Sequence, residues 1–375
     1  MLHSRRLDSR LFVYVLGCCL TMSGCGGIHP IKPATLTEDS PIDFPFDEGK
    51  HDNARTEWWY YAGWLQDRNG ESYTYELVFF KVTESVRIFR RLGIDIAYFA
   101  HFAIADVTGE KHRATERNLV LLSPEVKINK GYLDLQYDDW GAVGNTESCQ
   151  GRYYHIWADD SGMAIDLDMK GSSNPIFGNG TGVIDMGKTG FSHAYSIPRL
   201  ETTGHLVVDG KEYSVSGRSW ADHQWGDWDW CEPFGWNWWG VNLDNGVDLV
   251  VYDFPDSTTT VIAKYPDGSQ VVTSKVTLEK LGWWKSPETG IRYPIEWRFE
   301  IPDLDAEFLV STTFPEQEMR TKLKYWEGGC IVKGKMKQEE ITGKGYMELV
   351  GYNWTNFSFL RCGVWTVLSG LFNAF

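Results

Sequence analysis

Several familiar signatures are absent from this chain, and each absence narrows what it can do. None of the 7 cysteines in its 375 residues is spaced as C-x-x-C, so a thiolate zinc centre is not expected. Basic residues are in the minority, 36 Lys and Arg against 51 Asp and Glu, for a net charge of −15. With no polybasic patch, the chain should repel nucleic acid and find no attraction in anionic lipid headgroups. No G-x-G-x-x-G follows a strand pattern and no haem-attachment motif occurs, so no cofactor is expected. No amphipathic pattern runs for three helical turns.

The beginning of the chain reads as a targeting segment. Arg5, Arg6 and Arg10 precede residues 11–23, LFVYVLGCCLTMS, an apolar stretch too short to span a bilayer. Met22-Ser23-Gly24-Cys25 follows and resembles a bacterial lipobox, which makes Cys25 the expected lipidation site and residues 1–24 a signal peptide. Gly26 after that cysteine, by the same resemblance, implies the outer membrane or periplasm, with the bilayer as a partner through an acyl anchor. Residues 25–44, with Pro30, Pro33 and Pro41, read as a tether. Cys149, Cys231, Cys330 and Cys362 are scattered, and their spacing specifies no disulfide pairing.

What is abundant is aromatic: 18 Trp, 18 Tyr and 19 Phe, with 38 Gly. This composition favours pleated surfaces joined by tight turns. YTYELVFFKV (73–82) alternates, with Tyr73, Tyr75, Leu77 and Phe79 on one face and Thr74, Glu76, Val78 and Phe80 on the other. Asp160-Ser161-Gly162, Asp209-Gly210, Asn245-Gly246 and Asp267-Gly268 each separate two alternating runs, which is the strongest short-range hairpin signal. Residues 57–80 and 235–254 share a plan: Trp-Trp, a leucine, an Asn-Gly turn, then an alternating strand ending in Phe. The expected fold is all-β, with two domains at 45–200 and 201–375.

The densest chemistry lies in SWADHQWGDWDW, residues 219–230, where Trp220, Trp225, Trp228 and Trp230 alternate with Asp222, His223, Asp227 and Asp229. One reading is a metal site, but only one histidine is local, and neither zinc nor calcium spacing is present. A second is structural: tryptophans plugging a barrel, with a hydrogen-bonded core histidine. The third is an acid in an apolar pocket. Burial beside indoles raises a carboxyl pKa, so it keeps a proton to deliver near neutral pH. Aromatic faces then stabilise a developing cation. Protonation of an alkene followed by capture of water needs that combination.

Glu57-Trp58-Trp59-Tyr60, His101 within AHFAIAD, YSIPRL (195–200), GRSWADHQWG (217–226), GWNWWGVNLDNG (235–246), Tyr325-Trp326-Glu327-Gly328 and Gly345-Tyr346-Met347-Glu348-Leu349 occur in this order. Together they resemble the carotenoid 1,2-hydratase (hydroxyneurosporene synthase) and AttH-type family. The resemblance implies two lipocalin-like β-barrels packed together and, for the enzymes of the family, hydration of a carbon–carbon double bond. Carried onto this chain, it implies catalytic roles for His223 and Trp225, with Tyr252 and an acid from Asp222, Asp248 or Asp253. Trp59, Trp220, Trp228, Trp239 and His101 are the candidates to contact a small lipophilic, isoprenoid- or polyene-like ligand in a barrel pocket. Glu57 and Glu327 read as buried acids in structural roles. The rival reading is a non-enzymatic lipid or isoprenoid carrier using the same pocket.

Overall fold

The computed structural model describes residues 41–52, 54–83, 96–120, 126–145, 151–171, 174–186, 190–228, 235–254 and 259–352. The signal segment, Cys25, most of the tether, Cys149, Cys231, Cys362, Asp229 and Trp230 lie outside the described residues. So do the side chains of Asp227 and Trp228, although their backbone ends a strand.

Thirteen strands build the first sheet. They are β1 (Thr56–Asp67), β2 (Ser72–Thr83), β3 (Ile96–Asp106), β4 (Lys111–Val120), β5 (Val126–Ile128), β6 (Asp134–Tyr137), β7 (Trp140–Asn145), β8 (Arg152–Asp160), β9 (Met163–Gly171), β10 (Ile176–Phe177), β11 (Val183–Asp185), β12 (Gly190–Val208) and β13 (Lys211–Trp228). Ten build the second: β14 (Trp236–Leu243), β15 (Asp248–Asp253), β16 (Thr260–Lys264), β17 (Gln270–Thr273), β18 (Thr277–Lys285), β19 (Arg292–Ile301), β20 (Ala306–Thr312), β21 (Glu318–Arg320), β22 (Lys324–Met336) and β23 (Glu339–Val350). Both are curled, antiparallel half-barrels, and the all-β lipocalin-like expectation holds.

The turn signals locate four hairpins. Asp160-Ser161-Gly162 joins β8 to β9, Asp209-Gly210 joins β12 to β13, Asn245-Gly246 joins β14 to β15, and Asp267-Gly268 joins β16 to β17. The two Trp-Trp hairpins are equivalent in packing as well. Gly70 and Gly246, at φ 86° and 88°, turn each one in the left-handed region that favours glycine. Trp59 and Trp239 point into their own sheets, while Trp58 and Trp238 point into the layer between the sheets.

Hairpin β12–β13 pairs with β1 and β9 and so belongs to the first sheet, which runs to Trp228. The domain boundary expected at 200/201 falls inside β12, and the change of sheet comes between Trp228 and Trp236. What sits near 200 is a bulge between Ile197 and Leu200, with Arg199 at φ 57°. The bulge sends the Arg199 side chain to the second sheet. There its Nη2 donates to the carbonyls of Leu243 (2.7 Å) and Val247 (3.1 Å), and its Nε pairs with Asp248 (2.7 Å).

Apolar residues form three layers: one inside each half-barrel and a third between the sheets. The first half-barrel is filled by side chains such as Trp59, Trp225, Tyr75 and Phe79. Strand β2 is buried on both faces, which explains its alternation of two different apolar sets. Its Tyr73, Tyr75, Leu77 and Phe79 face the first core, whereas Val78 and Phe80 face the middle layer. Cys330 of β22 carries a free, buried thiol that burial pushes up to about 12.

Candidate active site

Strand alternation divides the tryptophan-aspartate motif into two sets. Ala221, His223 and Trp225 point into the first half-barrel, while Trp220, Asp222 and Gln224 point toward the second sheet. The five candidates for catalysis therefore do not meet in one place.

His223 and Trp225 belong to a charge-paired cluster. His223 Nε2 lies 3.0 Å from Glu57 Oε1, and its Nδ1 lies 2.8 Å from the Asp47 carbonyl. The same Glu57 oxygen is 2.7 Å from His51 Nδ1, and Lys81 Nζ donates to Oε2 at 3.0 Å. His51 Nε2 reaches Asp47 at 2.9 Å, and the His51 ring stacks on Trp225 at 4.1 Å. Burial alone would raise the Glu57 carboxyl, but the charges of Lys81 and His51 and the bonds from both histidines hold it well below the usual range. Burial also works against a charge on His51, yet Glu57 and Asp47 outweigh it and raise its pKa. His223 is lowered by burial, against the pull of Glu57. Ligand atoms of His51, Glu57 and His223 lie within 4.8 Å of one another, as metal donors would. However, the Lys81 ammonium already neutralises the carboxylate, and every ring nitrogen has a hydrogen-bond partner, so the residues fit an ion-paired plug better than a cation site. The space beside this plug, about 220 Å³ next to Trp59, Tyr154 and His223, is small.

Asp222 and Tyr252 meet in a different place, a narrow cleft between the sheets with about 520 Å³ of unfilled space, part of it open to solvent. Strand register builds it. In the first sheet Asp222, Tyr60 and Val78 lie abreast on β13, β1 and β2. In the second, Glu327, Glu348, Trp238 and Tyr252 lie abreast on β22, β23, β14 and β15. The two rows face each other. Trp58 and Trp236 stack at 6.0 Å and 11° along one wall, and Trp238 packs edge-on to Tyr60 at 5.5 Å. Gly240 makes room for this wall, since a Cβ there would stand 2.6 Å from the Trp238 ring.

Four carboxyls gather at this layer. Asp222 accepts from Trp220 Nε1 at 2.6 Å and Glu348 from Trp236 Nε1 at 2.7 Å, each keeping some surface open to the cleft. Behind them, two fully buried acids take phenols from the opposite sheet. Tyr60 donates to Glu327 at 2.5 Å, and Tyr325 lies 3.1 Å from Glu76. Among the described residues that line the cleft there is no Lys, Arg or His. Burial pushes Asp222 up to about 7; burial and the Asp222 charge push Glu348 up to about 7. Burial together with neighbouring carboxyls raises Glu76 and Glu327 well above the usual range. Burial and Asp222 likewise raise the Tyr252 phenol. Ser196, buried on β12, lies beside both Asp222 and Tyr252.

The chain is matched over residues 35–352 by the family model described as AttH-like. It belongs to the AttH-like family. A dehydratase, asqC of Emericella nidulans, is 25% identical over 209 residues, which cover 50% of this chain and 58% of that protein. The chain thus spans little more than half the length of this curated relative. Among solved structures, an AttH protein of Nitrosomonas europaea superposes with a TM-score of 0.74 at 24% identity, over 84% of this chain and 98% of that one. Kievitone hydratase of Nectria haematococca superposes with a TM-score of 0.66 at 15% identity, over 84% and 94%. At these identities the two structures establish the fold.

The remaining sequence candidates fall elsewhere. Trp59 is buried in the first half-barrel, donating to the Glu48 carbonyl at 2.9 Å, and Trp239 is buried against Trp297 and Phe299 in the second. Trp220 flanks the cleft, while His101 sits behind it against Tyr325. Asp253 points away from Tyr252 and is held by Asn237 (2.8 Å) and Thr259 (2.7 Å); Asp248 is committed to Arg199 and Asn242. Glu57 and Glu327 are buried in paired positions, as expected of structural acids, although Glu327 also belongs to the acid layer. Sequence reasoning missed Glu348, Trp236 and Trp238 as cleft residues and Glu76 as an acid. A usable signal was the placing of Glu76 and Glu348 among apolar strand positions, where an unpaired carboxyl is costly.

Proposed function

We propose that the cleft between the sheets adds water to, or removes it from, the carbon skeleton of an uncharged lipophilic molecule, isoprenoid- or polyene-like in character, by acid catalysis. The observation that carries this reading is the crowding of Asp222 and Glu348 in an aromatic cleft whose described lining residues include no cation. Two carboxyls raised to about 7 carry about one proton between them at neutral pH, so one can serve as an acid while the other serves as a base. In hydration, the protonated carboxyl gives its hydrogen to one alkene carbon. The neighbouring carbon becomes cationic against the faces of Trp58, Trp236 and Trp238, and the ionised carboxylate takes a proton from the water that adds to it. Dehydration runs the same steps backward. An anionic substrate would face acids with no countercharge, which is why the ligand is taken to be neutral. The names of the similar proteins, the dehydratase asqC and kievitone hydratase, agree with a hydro-lyase.

The test begins with lipophiles that co-purify with the protein, identified by mass spectrometry and incubated in heavy-oxygen water. Label entering a hydroxyl with wild type, and not with Asp222→Asn or Glu348→Gln, is the expected result. A ligand held by all three proteins and never labelled would replace the enzyme with a carrier.

A further inference from the structure

His101 and Tyr325 join the deepest cleft acid to the outer face of the first sheet. Glu76, on β2, lines the cleft; one of its oxygens, Oε2, is buried without a partner, and the other lies 3.1 Å from the Tyr325 hydroxyl. That hydroxyl lies 2.8 Å from His101 Nδ1. The far ring nitrogen, Nε2, is 4.0 Å from Glu116 Oε2, on the neighbouring strand β4. The Glu116 side chain is 22% exposed, and the same oxygen accepts from the backbone N–H of Lys322 at 3.0 Å. Phe80 and Phe99 pack on the His101 ring, both at 5.4 Å, and exclude water from the middle of the chain.

We infer that Glu76, Tyr325, His101 and Glu116 form a proton relay between the cleft and bulk solvent. This rests on the reading of the cleft as an acid site. An apolar substrate filling the cleft would shut Glu76 off from water on that side, leaving the relay as its route to solvent. With an ionised Glu76 the Tyr325 O–H donates to Oε1. When Glu76 is protonated, as its burial favours, the tyrosine O–H turns to His101 Nδ1, the Glu76 O–H donates to the tyrosine oxygen, and the histidine hydrogen stays on Nε2, toward Glu116. One proton then leaves Glu76 as four groups shift together. The Glu76 O–H breaks as a new tyrosine O–H forms; the old tyrosine O–H breaks as N–H forms at Nδ1; the Nε2 N–H breaks as O–H forms on Glu116. The last transfer spans 4.0 Å and needs a small swing of the Glu116 side chain. Burial and the nearby Lys324 charge keep His101 neutral, with a value of about 3, so it passes a proton on without storing it.

The experiment follows the carbonyl stretch of the protonated Glu76 carboxyl by infrared spectroscopy of the whole protein moved from water into deuterium oxide. Wild type should show a protonated-acid band that Glu76→Gln removes. Its deuterium shift should slow by an order of magnitude or more in Tyr325→Phe and His101→Phe at unchanged melting temperature. Glu116→Gln, a partly exposed substitution that keeps an oxygen for the Lys322 N–H, should slow it as well. An exchange rate equal to wild type in these variants would overturn the relay, as would the absence of any Glu76-dependent band. Slowed exchange in a protein whose Asp222→Asn variant keeps full turnover would uphold the relay and overturn the reading of the reaction.

Discussion

Two buried clusters of ionisable groups lie on opposite faces of the same strand, and they are built on opposite principles. On one face of β13, Glu57 is met by Lys81, His51 and His223, so its charge is compensated and its donors are satisfied. On the other face, Asp222 meets Glu348, with Glu76 and Glu327 behind, and among the described residues lining the cleft no cation answers them. Compensated charge in a closed interior fixes structure, whereas like charges crowded beside an opening hold protons. The first cluster ties the segment 47–57 into the mouth of the first half-barrel. The second is the one on which the proposed reaction rests.

The largest effect should come from breaking the second cluster. Asp222→Asn or Glu348→Gln should each lower turnover by about 10²–10⁴-fold, with folding intact by circular dichroism. Breaking the first should act on stability. Lys81→Met leaves Glu57 buried without its countercharge and should cost about 3–5 kcal/mol in urea unfolding. His223→Ala, removing one donor from Glu57, should cost about 1–3 kcal/mol, and its turnover per folded molecule should fall far less than that of Asp222→Asn. The opposite result would move His223 from the plug to the catalytic machinery.

The clusters also differ in their response to pH. Glu327 is raised, so the folded state holds a proton that the unfolded chain releases above about pH 4.3. Stability should therefore fall as pH rises from that point toward the raised value. Glu327→Gln keeps an oxygen for Tyr60 and removes this penalty, so it should stabilise the protein at pH 8 more than at pH 5, as read by thermal unfolding. Glu57 has the reverse sign: its stabilisation is present above the unfolded carboxylate range and disappears as pH falls through its depressed value. The smallest effect belongs to Asp253→Asn. It should change stability by about 0.5–1.5 kcal/mol and leave turnover as it was, since Asp253 bonds, among the described residues, to Asn237 and Thr259 at the strand end.

The strand and turn pattern was legible because its signals are local. Asp209-Gly210 or Asn245-Gly246 specifies a hairpin by backbone conformation alone, and alternation in 73–82 separates the faces of β2. The same alternation splits Asp222 from His223, but both faces of β13 are buried, and nothing in residues 219–228 says which face adjoins a cleft. That depends on the second sheet. Its Glu348 and Trp236 are more than a hundred residues apart in the chain and meet only through the pairing of β14 with β23. The boundary near 200 came from the repeat of the two Trp-Trp hairpins, which does not say where one sheet ends. At Arg199 the register shifts, yet the strand continues through the bulge and pairs on both sides.

The proposed chemistry requires that the cleft acids keep a proton near neutrality. Carbon-13 NMR titration of the Asp and Glu side-chain carboxyls tests it most directly, with Asp222→Asn and Glu348→Gln to assign the signals. Two carboxyls should still titrate near pH 7, with the loss of either one lowering the midpoint of the other. Complete ionisation of both by pH 5 would contradict it and leave the cleft without its acid.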